Sequence, residues 1–477
     1  MSQAAPLVVL NLLYLTIGIG LLSLVGATGS WRTLLVRGGI AYMVGVAVAG
    51  ILAAHLALIG VAVDLRVVAL VAGILLAVAT LRLRLATPSG ARREARLPFR
   101  TEAWLVAAAA VLGSVAVLAQ ASRAFAVRPL IEWDAWAIWA TKSRGLFEFG
   151  GASTPVFNDP AYAPLQHPLL LPALEAIGFR TIGAFEATAI EAQMIAIALG
   201  FAAAFSSLLS RRVPVEVLAP SLFAILAAPL VIVQLSSSLA DVPLAFFVAL
   251  GITGLGLWML TGERWILACA VLFLGAATLT KPEGALFVFA GMVATLASLA
   301  VSARRRLREV AVAAGAVIAI VLPWWIYVRA AGLATAGYQL GDFIDPAYAR
   351  SQLERAAPAA EELARLVMND GWGYLPALTG VGIVAAILAA RLDLAIFVLS
   401  WLGVSFLGLV LAFVVYRQPL ELILTWAGLR SVTTLVLTGG ALAPLLAGEA
   451  WRLVLAKVDR PVDVSTHRYA DSAPAGG

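Results

Sequence analysis

The chain has very little of the chemistry that disulfides and metal centres need: one cysteine and three histidines among 477 residues. The single Cys269 lies in an apolar run, so the sequence excludes an intramolecular disulfide and a cysteine-based metal site. Charged residues are also scarce, at 13% of the chain against 62% hydrophobic residues. Ordinary soluble domains carry about 25% charged residues, so this composition excludes a soluble fold.

Long apolar runs fill most of the chain instead. Thirteen of them approach the roughly 20 residues that a helix needs to cross a bilayer, which predicts an all-α polytopic membrane protein with about 13 transmembrane helices. The predicted spans are residues 6–27, 39–62, 66–82, 102–122, 185–208, 216–236, 243–260, 265–280, 284–301, 310–328, 374–390, 394–415 and 431–447. No Lys or Arg precedes the first span, so we expect no cleavable signal peptide.

Basic residues predict the orientation, because cytoplasmic loops carry an excess of Lys and Arg. The segment from Arg82 to Arg100 contains six arginines, and counting spans from it puts the other basic segments on the same side. Those segments are Arg211-Arg212, Arg264, Arg304 to Arg308, and the tail with Arg452, Lys457 and Arg460. We therefore expect an outward N-terminus, a cytoplasmic C-terminus and a large outward loop over residues 123–184. The net charge of +6 is then explained by the basic residues of the cytoplasmic segments, and no nucleic-acid partner is expected.

Acidic and basic residues that need an explanation fall together on the predicted outward face. They are Glu132 and Asp134 in the large loop, Asp241, Lys281 and Glu283 in two short turns, and Arg329, Arg417 and Arg430 beside later loops. Charges near lipid are costly and usually functional. A transporter would instead place some of them near the middle of its spans.

The acidic pair Glu132 and Asp134 flanks Trp133 at the start of the large loop. Residues i and i+2 point the same way only in extended chain, so an extended 131–134 would turn both carboxylates into one cavity. One carboxylate would then accept the proton of an acceptor hydroxyl while the other holds its geometry. The alternatives are a helix cap for Asp134 and a solvated loop charge for Glu132.

Two short helices are predicted in the same loop. The first runs from Ala135 to Phe149, with Asp134 as its N-cap, Gly150 at its end, and Trp136 and Trp139 on one face at headgroup depth. The second runs from about Leu169 to Phe179 and is too interrupted by Glu175, Gly178 and Arg180 to be a span. Both are expected to be interfacial helices.

A metal ion is left open by the sequence. Glu132, Asp134 and His167 could supply ligands together with waters, but no spacing requires this. The alternative for His167, which lies between Pro164 and Pro168, is a structural hydrogen bond.

These residues resemble the GT-C superfamily of membrane glycosyltransferases, and within it the bacterial relatives of dolichyl-phosphate-mannose protein mannosyltransferases and of lipid A aminoarabinose transferases. The resemblance is carried by Glu132 to Trp136, by the segment 163–172, by Asp241-Val242-Pro243 and by Thr280 to Glu283. It covers about residues 102–330, a seven-span core with the large loop after its first span. The chain departs from the family in having three spans before this core and no sizeable soluble C-terminal domain.

The resemblance implies an inverting transfer of a sugar from a polyprenyl-phosphate donor to an acceptor on the outer side of the membrane, and the acceptor is a protein, a lipid or a glycan. The Arg- and Ala-rich composition suggests a bacterial plasma membrane. The resemblance makes Asp134 or Glu132 the general base. A departing phosphate needs cations, for which Lys281 is the first candidate and Arg329, Arg417 and Arg430 are alternates. Trp133, Trp136, His167, Asp241 and Glu283 would line or support the cavity.

The predicted organisation is an N-terminal three-span extension with its basic loop (1–101), the GT-C-like core (102–330), an outward loop with the last spans (331–447) and a cytoplasmic tail, partly disordered (448–477). Three other functions stay open. They are a transporter or lipid flippase, an O-antigen ligase-like transferase that uses a diphosphate-linked donor, and a non-catalytic assembly protein.

Overall fold

The computed structural model describes residues 4–27, 31–85, 101–152, 166–302, 304–333 and 345–458. The predictions for residues 86–100, for 153–165 with the first part of the 163–172 segment, and for the tail after residue 458 lie outside this description. Every regular element within the described residues is a helix. The all-α, multi-pass character predicted from composition is therefore confirmed.

The helices are numbered in chain order. Those of the first half are α1 (Ala4–Leu24), α2 (Trp31–Val36), α3 (Gly38–Leu58), α4 (Leu65–Leu85), α5 (Thr101–Val127), α6 (Thr141–Phe149), α7 (Leu170–Ile182), α8 (Ala187–Leu209), α9 (Val215–Ala227) and α10 (Pro229–Ser236). Those of the second half are α11 (Asp241–Thr261), α12 (Arg264–Thr280), α13 (Gly284–Ser302), α14 (Leu307–Ala330), α15 (Pro346–Ser351), α16 (Ala356–Val367), α17 (Leu375–Leu388), α18 (Leu392–Val415), α19 (Leu420–Ile423), α20 (Leu429–Ser431) and α21 (Thr433–Val458).

Ten helical stretches of the described chain are long and apolar enough to cross a membrane, and the bent pair α9–α10 raises the number to eleven. The pair bends by 54° at Ala228, where Pro229 prevents a continuous helix. The predicted spans 265–280 and 374–390 coincide with the shorter apolar helices α12 and α17. All thirteen predicted spans thus fall on helices, while the count of thirteen crossings stays a prediction.

The N-terminal helices belong to the same core as the rest of the bundle. The first helix, α1, packs against α3 and α4, and α3 packs against α8. Glycines allow α1 and α3 to touch: a Cβ at Gly18 would lie 1.6 Å from the carbonyl oxygen of Ala41, and one at Gly45 would lie 1.7 Å from that of Tyr14. Small residues are used in this way where transmembrane helices approach closely.

A group of charges marks one end of the bundle. Glu449 of α21 is paired with Arg212, which follows α8, and with Arg391, which precedes α18, at 2.7 and 2.8 Å. Arg452 lies 3.7 Å from the same carboxylate. The sequence predicted Arg212 and Arg452 to share one face, and these contacts confirm that they do.

Candidate active site

Five charged side chains meet at the other end of the bundle and form what we call the charged cluster: Asp134, Asp241, Lys281, Glu283 and Arg430. They come from four places in the chain: the large loop, the start of α11, the turn between α12 and α13, and α20 just before α21. The sequence predicted that all five lie on one face. The contacts confirm that they share one end of the bundle.

The buried centre of the cluster is the pair formed by Asp241 and Lys281. The Nζ of Lys281 donates to Oδ1 of Asp241 at 2.7 Å and lies 3.1 Å from Oε1 of Glu283. The side chains of Lys281 and Asp241 are 5% and 3% exposed. Burial alone would lower the pKa of Lys281, but the carboxylates of Asp241 and Glu283 outweigh it, so the pKa is raised and the ammonium stays charged.

The local sequence explains how Lys281 reaches this position. Pro282 ends α12 and requires an extended residue before it, and Lys281 has φ −153° and ψ 149°. Gly284 then lets α13 begin against α12, because a Cβ there would lie 2.4 Å from the carbonyl oxygen of Ala277. The turn therefore directs Lys281 toward the first residue of α11.

Arg430 joins the large loop to this buried pair. Its Nη2 donates to Oδ2 of Asp134, and its Nε lies 3.6 Å from Oδ2 of Asp241. The side chains of Arg430 and Asp134 are 21% and 16% exposed, so this pair is more accessible than Asp241 and Lys281; Glu283, at 31%, is also partly exposed. Of the cations predicted to meet a phosphate, Arg430 is more accessible than Lys281, which the sequence had favoured.

The extended conformation at 131–134 that would turn both carboxylates into one cavity is not adopted. Asp134 has φ −62° and ψ −34°, and its side chain makes no cap hydrogen bond. The backbone carbonyl of Glu132 instead accepts from the N–H groups of Ala135 and Trp136, so the chain turns into a helix at once. Glu132 is exposed, and no described contact joins its side chain to the charged cluster.

Two π-helical segments lie beside the Asp134–Arg430 pair. Residues Ala135–Ala140 follow Asp134 directly, and residues Leu424–Gly428 end two residues before Arg430. The expectation that Trp136 and Trp139 share a face is wrong: Trp136 is 51% exposed and Trp139 is 1% exposed. The wider π-helical turn shifts the spacing on which that expectation rested, and single π-turns are frequent at functional sites.

Strained backbone precedes both acidic residues that contact Arg430. Leu130 and Ser238 have φ +52°, in the left-handed region that non-glycine residues rarely adopt. Leu130 lies four residues before Asp134, and Ser238 lies three before Asp241. The only other non-glycine residue with positive φ in the described chain is Ala390. Such strain clusters at functional sites.

The first π-helical segment and α6 rest on α7. The ring of Trp139 packs edge-on against His167, with 5.3 Å between ring centroids, and Lys142 donates to the carbonyl oxygen of His167 at 2.7 Å. His167 therefore supports the loop. Ser143 donates to Glu175 of α7. Burial lowers the pKa of Lys142 to about 7 and raises the pKa of Glu175 to about 7.

The buried pair of Ser143 and Glu175, which joins α6 to α7, was not predicted from the sequence. Residues Leu170 to Phe179 of α7 are all buried, so α7 is an internal helix and not the interfacial one that was predicted. The available signal was Glu175 itself, a lone carboxylate in a run of Leu, Ala and Ile, which is seldom buried without a partner.

The other predicted site residues lie around the charged cluster or away from it. Trp133 and Trp136, both half exposed, meet edge-on with 6.4 Å between ring centroids. Arg329 and Arg417 are exposed near the ends of α14 and α18. The described residues include no group of three or more His, Cys, Asp or Glu that could hold a metal ion, so the set Glu132, Asp134 and His167 is not brought together.

Comparison of the chain with family models, with curated proteins and with solved structures gives no match.

Proposed function

We propose that this protein is a membrane glycosyltransferase that moves a sugar from a polyprenyl-phosphate donor to a hydroxyl-bearing acceptor. The observation that carries the proposal is the contact between Asp134 and Arg430: a partly exposed carboxylate beside a partly exposed guanidinium, backed by the buried Asp241–Lys281 pair. A transfer from a phosphate donor needs both groups within one site, a base for the acceptor and a cation for the leaving group.

Asp134 acts as the general base in the proposed reaction. The acceptor oxygen bonds to the anomeric carbon of the sugar while the bond from that carbon to the phosphate oxygen breaks. The proton of the acceptor goes to the carboxylate of Asp134, and the electron pair of the broken bond leaves with the polyprenyl phosphate. Attack opposite the leaving group inverts the anomeric carbon. Glu132, exposed and outside the charged cluster, is not assigned a catalytic role.

Arg430 binds the leaving phosphate in this proposal. A guanidinium presents several N–H donors in a plane and matches phosphate oxygens well. Lys281 instead holds Asp241 and Glu283 and stays buried, so its part is to neutralise the carboxylates behind Arg430. The half-exposed Trp133 and Trp136 suit the headgroup depth at which a lipid-linked sugar lies. The active site would then face the outer side of the plasma membrane.

The alternative functions receive less support from the described residues. A transporter would carry charges in the middle of its spans, whereas Asp241 is the first residue of α11 and Lys281 follows the last residue of α12. A ligase-like transferase with a diphosphate-linked donor would use an outward histidine, but the ring of His167 packs on Trp139. An assembly protein would have no need of an accessible Asp134.

The proposal is tested by transfer assays on purified protein in lipid nanodiscs. The protein is incubated with a panel of polyprenyl-phosphate sugars and a membrane extract as the acceptor source, and release of free polyprenyl phosphate is followed by mass spectrometry. Release that depends on Asp134 supports the proposal. Release from diphosphate-linked donors alone, or no release from any donor with folded protein, contradicts it.

A further inference from the structure

Arg430 divides its guanidinium between two carboxylates that differ in burial. Asp241 is the first residue of the buried helix α11, and its side chain is 3% exposed and held by Lys281. Asp134 belongs to the large loop and is more exposed. If Arg430 exchanges one partner, that partner is Asp134, because Asp241 stays in place through Lys281.

The guanidinium has an unused donor toward Asp241. The Nε of Arg430 is buried and makes no hydrogen bond among the described residues, and Oδ2 of Asp241 is likewise without one, at 3.6 Å from that Nε. A small movement of Arg430 toward Asp241 would complete this bond. The contact with Asp134 holds the guanidinium where its buried Nε has no hydrogen bond.

The segment that carries Asp134 is suited to movement. It begins after the strained Leu130 and continues into a π-helical segment, and both features are less stable than regular helix. Arg430 also follows a π-helical segment. Asp134 and Arg430 therefore both lie next to backbone that can change its hydrogen bonding with little cost.

Resting on the proposed function, we propose that a phosphate at Arg430 displaces Asp134 and so releases the general base only when the donor is bound. The anion and the carboxylate compete for the same Nη2 of Arg430, and their like charges oppose simultaneous binding. Asp241 keeps the guanidinium in place during the exchange. Before the donor binds, the carboxylate of Asp134 is held by Arg430 and is not free to meet an acceptor hydroxyl or water.

This coupling predicts that removal of the base strengthens binding of the anion. Undecaprenyl phosphate is the probe, since it carries the phosphate but no sugar and its binding requires no transfer. We expect Asp134→Asn to bind it about tenfold more tightly than wild type, within the usual range of coupling between two ligands of one site. We expect Arg430→Gln to bind it at least about tenfold more weakly. Affinities are measured by native mass spectrometry or by fluorescence quenching in nanodiscs.

Matched controls separate the coupling from general charge effects. Glu148→Gln removes a carboxylate from an exposed pair with Arg144 on α6, and it should leave the affinity for undecaprenyl phosphate unchanged. Undecaprenol, with the same chain and no phosphate, should bind wild type and Asp134→Asn equally. Asp134→Ser gives the same comparison if the Asn variant fails to fold. Equal or weaker phosphate binding by the folded Asp134 variants overturns the proposal, as does absence of phosphate binding to wild type.

Wild-type protein provides a second test that needs no variant. Undecaprenyl phosphate should increase hydrogen–deuterium exchange of the backbone amides in residues 131–140, because the loop loses its contact with Arg430. Protection or no change in this segment, with the probe bound, contradicts the displacement. The two proposals can fail separately. If Asp134→Asn binds undecaprenyl phosphate more tightly but wild type transfers sugar from no donor, the displacement of Asp134 by phosphate is supported and the proposed function is overturned.

Discussion

The ammonium group of Lys281 and the carboxylate of Asp241 form a buried ion pair, with 2.7 Å between Nζ and Oδ1, that joins the turn after α12 to the start of α11. Glu283 and Arg430 lie against this pair on either side. It is the buried centre of the charged cluster, whereas Asp134, Arg430 and Glu283 are partly exposed.

Loss of Lys281 should therefore unfold the site more than it weakens donor binding. Lys281→Met leaves the buried Asp241 without its closest cation, which typically costs about 3–5 kcal/mol. We expect a lower melting temperature in mild detergent, measured by intrinsic fluorescence. The double variant Asp241→Asn/Lys281→Met, which removes both charges, should regain most of the loss. A wild-type melting temperature for Lys281→Met would contradict a structural role for the pair.

The two acidic residues of the large loop should differ sharply in their effect on transfer. Asp134→Asn should lower the rate of sugar transfer by at least about 100-fold, the usual scale of a positioned base. Glu132→Gln should lower it by less than about fivefold, because Glu132 lies outside the charged cluster. Rates are measured as release of polyprenyl phosphate per folded protein. Equal losses for the two variants would return Glu132 to the catalytic pair.

The helices and the face on which the charges meet could be predicted from the sequence for simple physical reasons. An apolar run of bilayer length has few alternatives to a helix, and the basic loops fix which helix ends share a side. Counting the membrane crossings then places Arg430 and Asp134 on the same face, although they are nearly 300 residues apart in the chain. The contacts between particular side chains could not be predicted in this way, because counting crossings assigns residues to a face and not to positions within that face.

Three features of the site were not predicted from the sequence. The π-helical turn after Asp134 moved Trp139 inward and left Trp136 exposed, whereas a 3.6-residue period puts them on one face. The sequence favoured Lys281 over Arg430 as the cation for a phosphate, whereas the packing of α11 against α12 buries Lys281. Glu175 appeared as an interruption of α7 and proved to be part of its buried contact with α6.

The charged residues at the opposite end of the bundle allow a test of whether the stability of the protein and its rate of sugar transfer are independent. Glu449 is buried between Arg212 and Arg391, and it lies 19 residues beyond Arg430, roughly 28 Å along a helix. Glu449→Gln should lower the melting temperature, by a loss on the order of 3 kcal/mol. The rate of transfer per folded molecule should not change. A reduced rate in the folded fraction would mean that the two ends are coupled through α21.

Glu175 should make the stability of the protein depend on pH. Burial raises its pKa from 4.5 to about 7, only partly opposed by the hydrogen bond from Ser143. Between these two values the folded protein binds more protons than the unfolded chain, so stability falls as the pH rises from about 4.5 to about 7 and stays lower above that.

Glu175→Gln keeps an oxygen that accepts from Ser143 but does not titrate. We expect it to match wild type at pH 4.5 and to be more stable at pH 8, by a difference on the order of 3 kcal/mol. The neighbouring Lys142, whose lowered pKa of about 7 adds an opposite dependence above pH 7, is present in both proteins and cancels in the difference. Melting temperatures of the two proteins across this range measure it. A difference that does not change with pH would mean that Glu175 stays charged in the folded protein, through a partner or water at the α6–α7 contact.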